Sequence, residues 1–142
     1  MKTQYIFTYG SLMKNFCNHG LIEELKLEFV DKAFTCEKYQ MYPAINYAFP
    51  FLLESENNEF IYGEVYKLNS KKDLEKLDQL EGYPKLYYRK EIKTKLFKGI
   101  EIDAIIYFKN EDYHQDYIKS DEPIKRWTRD ISSAEIDRAI GI

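Results

Sequence analysis

Cysteine, histidine, proline and glycine are all scarce in this chain of 142 residues, which holds two Cys, two His, four Pro and six Gly. Each shortage excludes something. Two cysteines close at most one disulfide, which is not the framework of a small secreted domain. The only histidines are His19 and His114, and no cluster of Cys, His and Asp has the spacing of a zinc site. A basic excess is missing too, since 21 Lys and Arg face 24 Asp and Glu for a formal charge of −3. That balance argues against a protein that grips a phosphate backbone. Long apolar runs are also absent. The first, Tyr5 to Tyr9, is too short for a signal-peptide core or a membrane span. The expectation is a soluble cytoplasmic protein with neither nucleic acid nor membrane as its partner.

Aromatic residues are abundant, with thirteen Tyr and nine Phe, and apolar residues make up 44% of the chain. That is enough for a packed core, and Tyr and Phe favour pleated, half-buried surfaces. The length suits a single domain over residues 1–142. Tyr5 to Tyr9 reads as a buried strand stopped by Gly10, and residues 21–26 as a short helix. Phe29 to Tyr39 reads as a strand broken near Tyr42-Pro43. Phe60 to Leu68 is another, with Gly63 marking a bulge or a close backbone approach. Ser70 is a good helix N-cap with Asp73 three residues on, and Gly82 and Pro84 supply the stop. Tyr87 to Phe97 and Ile100 to Phe108 form a predicted hairpin about Lys98-Gly99. The alternating Ile100, Ile102, Ala104, Ile106 and Phe108 are expected in the core. Residues 109–142 are more polar, with a lone Trp127 and a capping-box pattern at Ser132–Glu135, and read as a divergent arm or lid. The order of elements predicts an α+β fold with one curved, barrel-like sheet.

Two places could carry chemistry. The first is Tyr9-Gly10-Ser11-Leu12, directly after the opening strand. A glycine with positive φ there would let successive N–H groups converge on a carboxylate or an oxyanion, although the same residues also suit an ordinary turn. The second is Glu81. Spacings of three and four place it on the face of Leu74 and Leu77, whereas Glu75 and Asp78 point elsewhere. A desolvated carboxyl at the negative end of a helix has a raised pKa, as a general base requires, although a helix-end Glu can equally reach solvent. Other candidates are weaker. Cys17 and His19 lack an acid partner, Lys14 lacks a Walker-type glycine loop, and Lys90, Lys93, Lys95 and Lys98 look like a sheet edge or a solvated face.

Taken together, several of these short segments resemble one family. They are Tyr9-Gly10-Ser11-Leu12 with Asn18-His19, Tyr42-Pro43-Ala44-Ile45, Gly63-Glu64-Val65-Tyr66, and Leu77-Asp78-Gln79-Leu80-Glu81-Gly82-Tyr83-Pro84 followed by Tyr88-Arg89. In this order they are similar to the gamma-glutamylcyclotransferase-like family, which includes gamma-glutamylamine cyclotransferases. The resemblance implies an α+β fold with a mixed, barrel-like sheet and a few flanking helices. It also implies a cofactor-free enzyme of lyase or acyltransferase type that releases 5-oxoproline from a small gamma-glutamyl substrate. By the same resemblance Glu81 is the acid/base. Tyr9, Gly10, Ser11 and Leu12 hold the glutamyl group largely through backbone, and Tyr88 lines the pocket. Asn15 stands where relatives often carry Gly, and Asn tolerates positive φ. The competing readings are a non-catalytic module that binds a small carboxylate on the same fold, and an aromatic-sheet RNA binder, which the acidic balance disfavours. The leaving group and the oligomeric state stay open at this level.

Overall fold

The computed structural model describes residues 3–10, 12–14, 18–43, 50–54 and 59–110. Its elements run β1 (Tyr5–Thr8), α1 (His19–Glu24), β2 (Glu28–Pro43), β3 (Pro50–Leu53), β4 (Glu59–Lys67), α2 (Lys71–Glu81), β5 (Tyr87–Leu96) and β6 (Glu101–Lys109). The strands lie in the order β3-β2-β4-β1-β6-β5, and β5 pairs back onto β2 through Ala33–Thr35. Five strands therefore close into a barrel, with β3 extending the sheet along the far half of β2. The barrel is mixed, because β1 is antiparallel to β4 but parallel to β6. The fold is α+β, as predicted.

Two apolar layers hold it together. Phe7, Met41, Ile61, Ile106 and Phe108 fill the barrel. Ile6, Tyr66, Ile105 and Tyr107 face the other way, against Leu74 and Leu77 of α2. β1 and β6 are thus buried on both faces, with Ile6 0% and Phe7 1% exposed. A strand covered on both sides reads as a continuous apolar run instead of an alternation, which explains the Tyr5–Tyr9 segment. β4 crosses β1 closely at Gly63, where a Cβ would stand 2.2 Å from the Thr8 carbonyl oxygen. Close approach, and not a bulge, is therefore the reason for glycine at this point.

α2 starts and stops as its sequence dictates. The Asp73 carboxylate accepts the N–H groups of Asn69 and Ser70 at 3.0 and 3.2 Å, satisfying donors that the helix start leaves open. At the other end Gly82 takes φ +70°. Tyr83 N–H then reaches the Asp78 carbonyl at 3.0 Å, and Gly82 N–H reaches that of Gln79 at 3.3 Å. This is a Schellman closure, and it ends the helix at Glu81.

Some expectations need correction. β2 ends at Pro43, where the break was expected, but it spans 16 residues from Glu28 and bends at register shifts between Phe29 and Asp31 and between Phe34 and Lys38. The four-residue β3 was not anticipated; it is too short to show a period. Ile100 is not in the core. It is 56% exposed, because it lies in the turn before β6 begins. Lys93 and Lys95 lie exposed on one face of β5 and Lys90 on the other, and β5 is flanked on both sides only over Thr94–Leu96, where it meets β2 as well as β6. Lys109, expected to open the polar arm, is the buried last residue of β6. The arm beyond Asn110, with Trp127 and the pattern at Ser132, lies outside the described residues, as do Asn15 and Cys17.

Candidate active site

The site is built where α2 ends beside the end of β1. Leu74 and Leu77 are buried under the helix, and the same helical phase turns Glu81 toward the barrel. Its charge raises the pKa of both Tyr9 and Tyr107, which sets the carboxyl close to the phenol that closes β1 and to the one on β6. No hydrogen bond or cation relieves Glu81 among the described residues. Desolvation alone pushes its pKa up from 4.5 to about 7. Part of its surface still reaches solvent. A carboxyl poised near 7 is suited to moving a proton at neutral pH.

Tyr9 is part of the barrel core. It is 8% exposed, and its hydroxyl donates to the Tyr107 carbonyl at 2.8 Å. Burial and the nearby Glu81 raise its pKa well above 10, so it stays a neutral phenol. Gly10 follows, without the positive φ that the nest reading required. Its glycine is needed for packing, because a Cβ would stand 2.7 Å from the ring of Pro50. The turn is tied in other ways. Met13 N–H donates to the Gly10 carbonyl at 3.0 Å, and Lys14 N–H to Glu64 Oε1 at 2.8 Å. The Leu12 carbonyl accepts from His19 Nδ1 at 2.9 Å. Ser11 lies outside the described residues.

The last turn of α2 is pinned by Asp78, whose Oδ1 accepts from Tyr107 Oη at 2.6 Å and from Arg89 Nε at 2.9 Å. Arg89 in turn lies over the ring of Tyr83, 4.4 Å from its centroid. The Asp78 carboxylate raises the pKa of Arg89, and burial, with Asp78 second, raises that of Tyr107. Asp78 therefore does not simply point away from the core, as the helical phase suggested. It fixes the segment that carries Glu81.

Residues 6–129 match the family described as "Gamma-glutamyl cyclotransferase, AIG2-like". The chain belongs to this family. It is 42% identical over 105 residues to a Methanocaldococcus jannaschii protein provisionally named a gamma-glutamylcyclotransferase, covering 74% of this chain and 83% of that one. It is 35% identical over 98 residues to gamma-glutamylaminecyclotransferase A of Danio rerio, covering 66% of this chain and 60% of the relative. Among solved structures, an AIG2-like protein of Mus musculus superposes with a TM-score of 0.68 at 21% identity, over 86% of this chain and 90% of the other. That likeness carries the fold.

Within this cyclotransferase-family barrel, Tyr88 points to the opposite side of β5 from Arg89. Its ring lies 5.7 Å from that of Phe108, and its hydroxyl donates to Glu54 Oε1 at 2.6 Å. Lys90 pairs with the other oxygen of Glu54 and lowers the pKa of that carboxyl, as Tyr88 does. The structure thus joins Glu81 to Tyr9 and, along the chain, to Gly10 and Leu12, while Tyr88 belongs to a second polar group centred on Glu54. Four site neighbours were not singled out for a role from the sequence: Glu64, His19, Asp78 and Tyr107. Glu64, His19 and Asp78 did stand inside the motif segments. Tyr107 carries no local signal, since its partner Asp78 lies 29 residues away.

Proposed function

We propose that this chain is a gamma-glutamyl cyclotransferase that converts a gamma-glutamyl compound to 5-oxoproline and a free amine, without a cofactor, in the cytoplasm. The observation that carries the reading is Glu81, a desolvated carboxyl with its pKa raised to about 7, beside the tyrosine that precedes the glycine turn.

In the proposed reaction the substrate supplies both reacting groups. Glu81, as carboxylate, takes a proton from the α-ammonium of the bound glutamyl unit. An α-amino group titrates at about 8, so a base near 7 removes that proton at modest cost. The freed nitrogen attacks the γ-carbonyl carbon, a five-membered ring forms, and negative charge gathers on the carbonyl oxygen. The bond to the leaving nitrogen then breaks as Glu81 returns the proton to it, and the ring nitrogen gives up its remaining extra proton to the released amine, so that a neutral lactam and an ammonium leave. One carboxyl serves both steps, and neither water nor a nucleophilic side chain is consumed. The scaffold's contribution is to hold the chain curled, an effect worth up to about 7–11 kcal/mol in well-oriented intramolecular reactions. Backbone N–H groups of the Tyr9–Leu12 turn are assigned to the α-carboxylate or the oxyanion. Tyr88 is assigned to positioning in the pocket.

The test is a panel of gamma-glutamyl amino acids, peptides and amines with 5-oxoproline as readout, run on wild type and Glu81→Gln. The variant should fold and bind substrate while losing nearly all turnover. Activity within about tenfold of wild type would remove Glu81 as the proton carrier. Binding without product from any compound would leave a carboxylate-binding module.

A further inference from the structure

Three groups on the outer side of the barrel converge on the turn that follows β1. Glu64 of β4 is a carboxyl only 7% exposed, and one of its oxygens accepts both Lys14 N–H at 2.8 Å and Tyr66 Oη at 2.9 Å. Glu64 and Tyr66 stand two residues apart on one strand and so face the same side. The Tyr66 ring packs against His19, with centroids 6.0 Å apart, and His19 donates from Nδ1 to the Leu12 carbonyl. The backbone of the turn is thus held at two peptide groups by side chains that are themselves tied together. A carboxyl oxygen that satisfies a backbone N–H from a loop is a directional tether, and its removal leaves that N–H without a partner.

Loops between elements usually lack such fixings, and a backbone that binds a substrate through its own N–H groups works only if those groups are already oriented. We propose that Glu64, supported by Tyr66 and His19, is a positioning residue that sets the backbone of the Leu12–Lys14 turn for substrate. This rests on the cyclotransferase reading and gives the buried Glu64 a part in it without contact with the reacting atoms. The same arrangement accounts for Glu, and not an apolar residue, at a buried point of β4 that faces Thr8 in the β1–β4 register.

The test compares Glu64→Gln with Glu64→Met. Both keep the side-chain volume, but only Gln retains an oxygen that can accept from Lys14 N–H. Tyr66→Phe, which removes the supporting hydroxyl alone, is the third variant. Two measurements are made on each: hydrogen exchange at the Lys14 amide without substrate, and kcat and KM for 5-oxoproline release across pH. Glu64→Met should lose protection at Lys14 and lose about 10- to 100-fold in kcat/KM, the scale of a reacting group misplaced by an ångström. The pH at which activity falls off should stay that of wild type, because Glu81 is untouched. Glu64→Gln should recover activity to within about threefold of wild type, and Tyr66→Phe should fall between the two. Should Glu64→Met fail to fold, loss of Lys14 protection and of activity in Tyr66→Phe supports the proposal, and full retention of both overturns it. An active wild type with Met and Gln variants equal in activity overturns the positioning role alone, as does Lys14 exchange freed without loss of rate. A wild type that releases no 5-oxoproline overturns the reaction reading, and the positioning role with it, whatever the exchange at Lys14 shows.

Discussion

Glu81→Gln exchanges a carboxyl for an amide of nearly the same volume, so wild type and variant differ chiefly in one titration. In the folded chain the Glu81 pKa is raised from 4.5 to about 7 by desolvation. A carboxyl whose folded pKa lies above its unfolded value holds its proton more tightly in the native state. Its contribution to stability is therefore complete below about pH 4.5 and is lost as pH rises through about 7. Each pH unit in that window is worth about 1.4 kcal/mol, so the full span comes to about 3 kcal/mol. Contact between Glu81 and solvent reduces this, and about 2 kcal/mol is the low end of the expectation. The glutamine variant has no such titration. It should match wild type near pH 4.5 and be more stable by about 2–3 kcal/mol at about pH 8. Urea unfolding of both chains at half-unit pH steps measures the difference, provided the m-values agree. A difference that is flat across this range, or that favours wild type at the alkaline end, would refute the claim that desolvation sets this pKa. The expected result has a plain meaning. The carboxyl to which the proposed reaction assigns proton transfer destabilises the fold at neutral pH.

The pH dependence of the rate follows from the same residue: kcat/KM should fall about tenfold per pH unit below about 7, where Glu81 becomes protonated. A profile that stays level down to pH 5 would contradict this. Tyr88→Phe removes the hydroxyl that Glu54 accepts at 2.6 Å. It should reduce kcat/KM by about three- to tenfold, less than Glu81→Gln, and an equal loss would give Tyr88 a part in proton transfer. Gly63→Ala would force a Cβ to within 2.2 Å of the Thr8 carbonyl oxygen and 2.6 Å of the Phe7 ring. It should cost more than about 3 kcal/mol or prevent folding, as judged by thermal melting. Gly20→Ala is the contrast, since nothing lies within 4 Å of that position in α1, and it should raise stability by about 0.5–1 kcal/mol.

Much of the fold was legible because local chemistry wrote it. Asp73 caps the start of α2 and Gly82 closes its end, so the limits of that helix and the place of Glu81 on its inner face could be read from a dozen residues. The hairpin about Gly99 was readable for the same reason: a turn glycine lies between two strands of sheet-forming residues. β3 was not, because four residues show no period, and its pairing with Gln40–Pro43 depends on where β2 has already been laid. Glycine is required at position 10, but not for a positive φ. The constraint is the ring of Pro50, forty residues on, and no local pattern reports it.

The sequence by itself determined every element except β3, the helix that carries Glu81, the family to which the motifs belong and the α+β class. These depend on periodicity and capping, which act over a few residues. Tertiary structure alone decided the rest: that the strands close so that Tyr9 and Tyr107 fall within the influence of the Glu81 charge, that Asp78 is anchored on β6, and that Glu64 reaches Lys14 fifty residues away. The raised pKa of Glu81 belongs with them. Desolvation is a property of everything packed around a group, and it does not exist until the chain has folded.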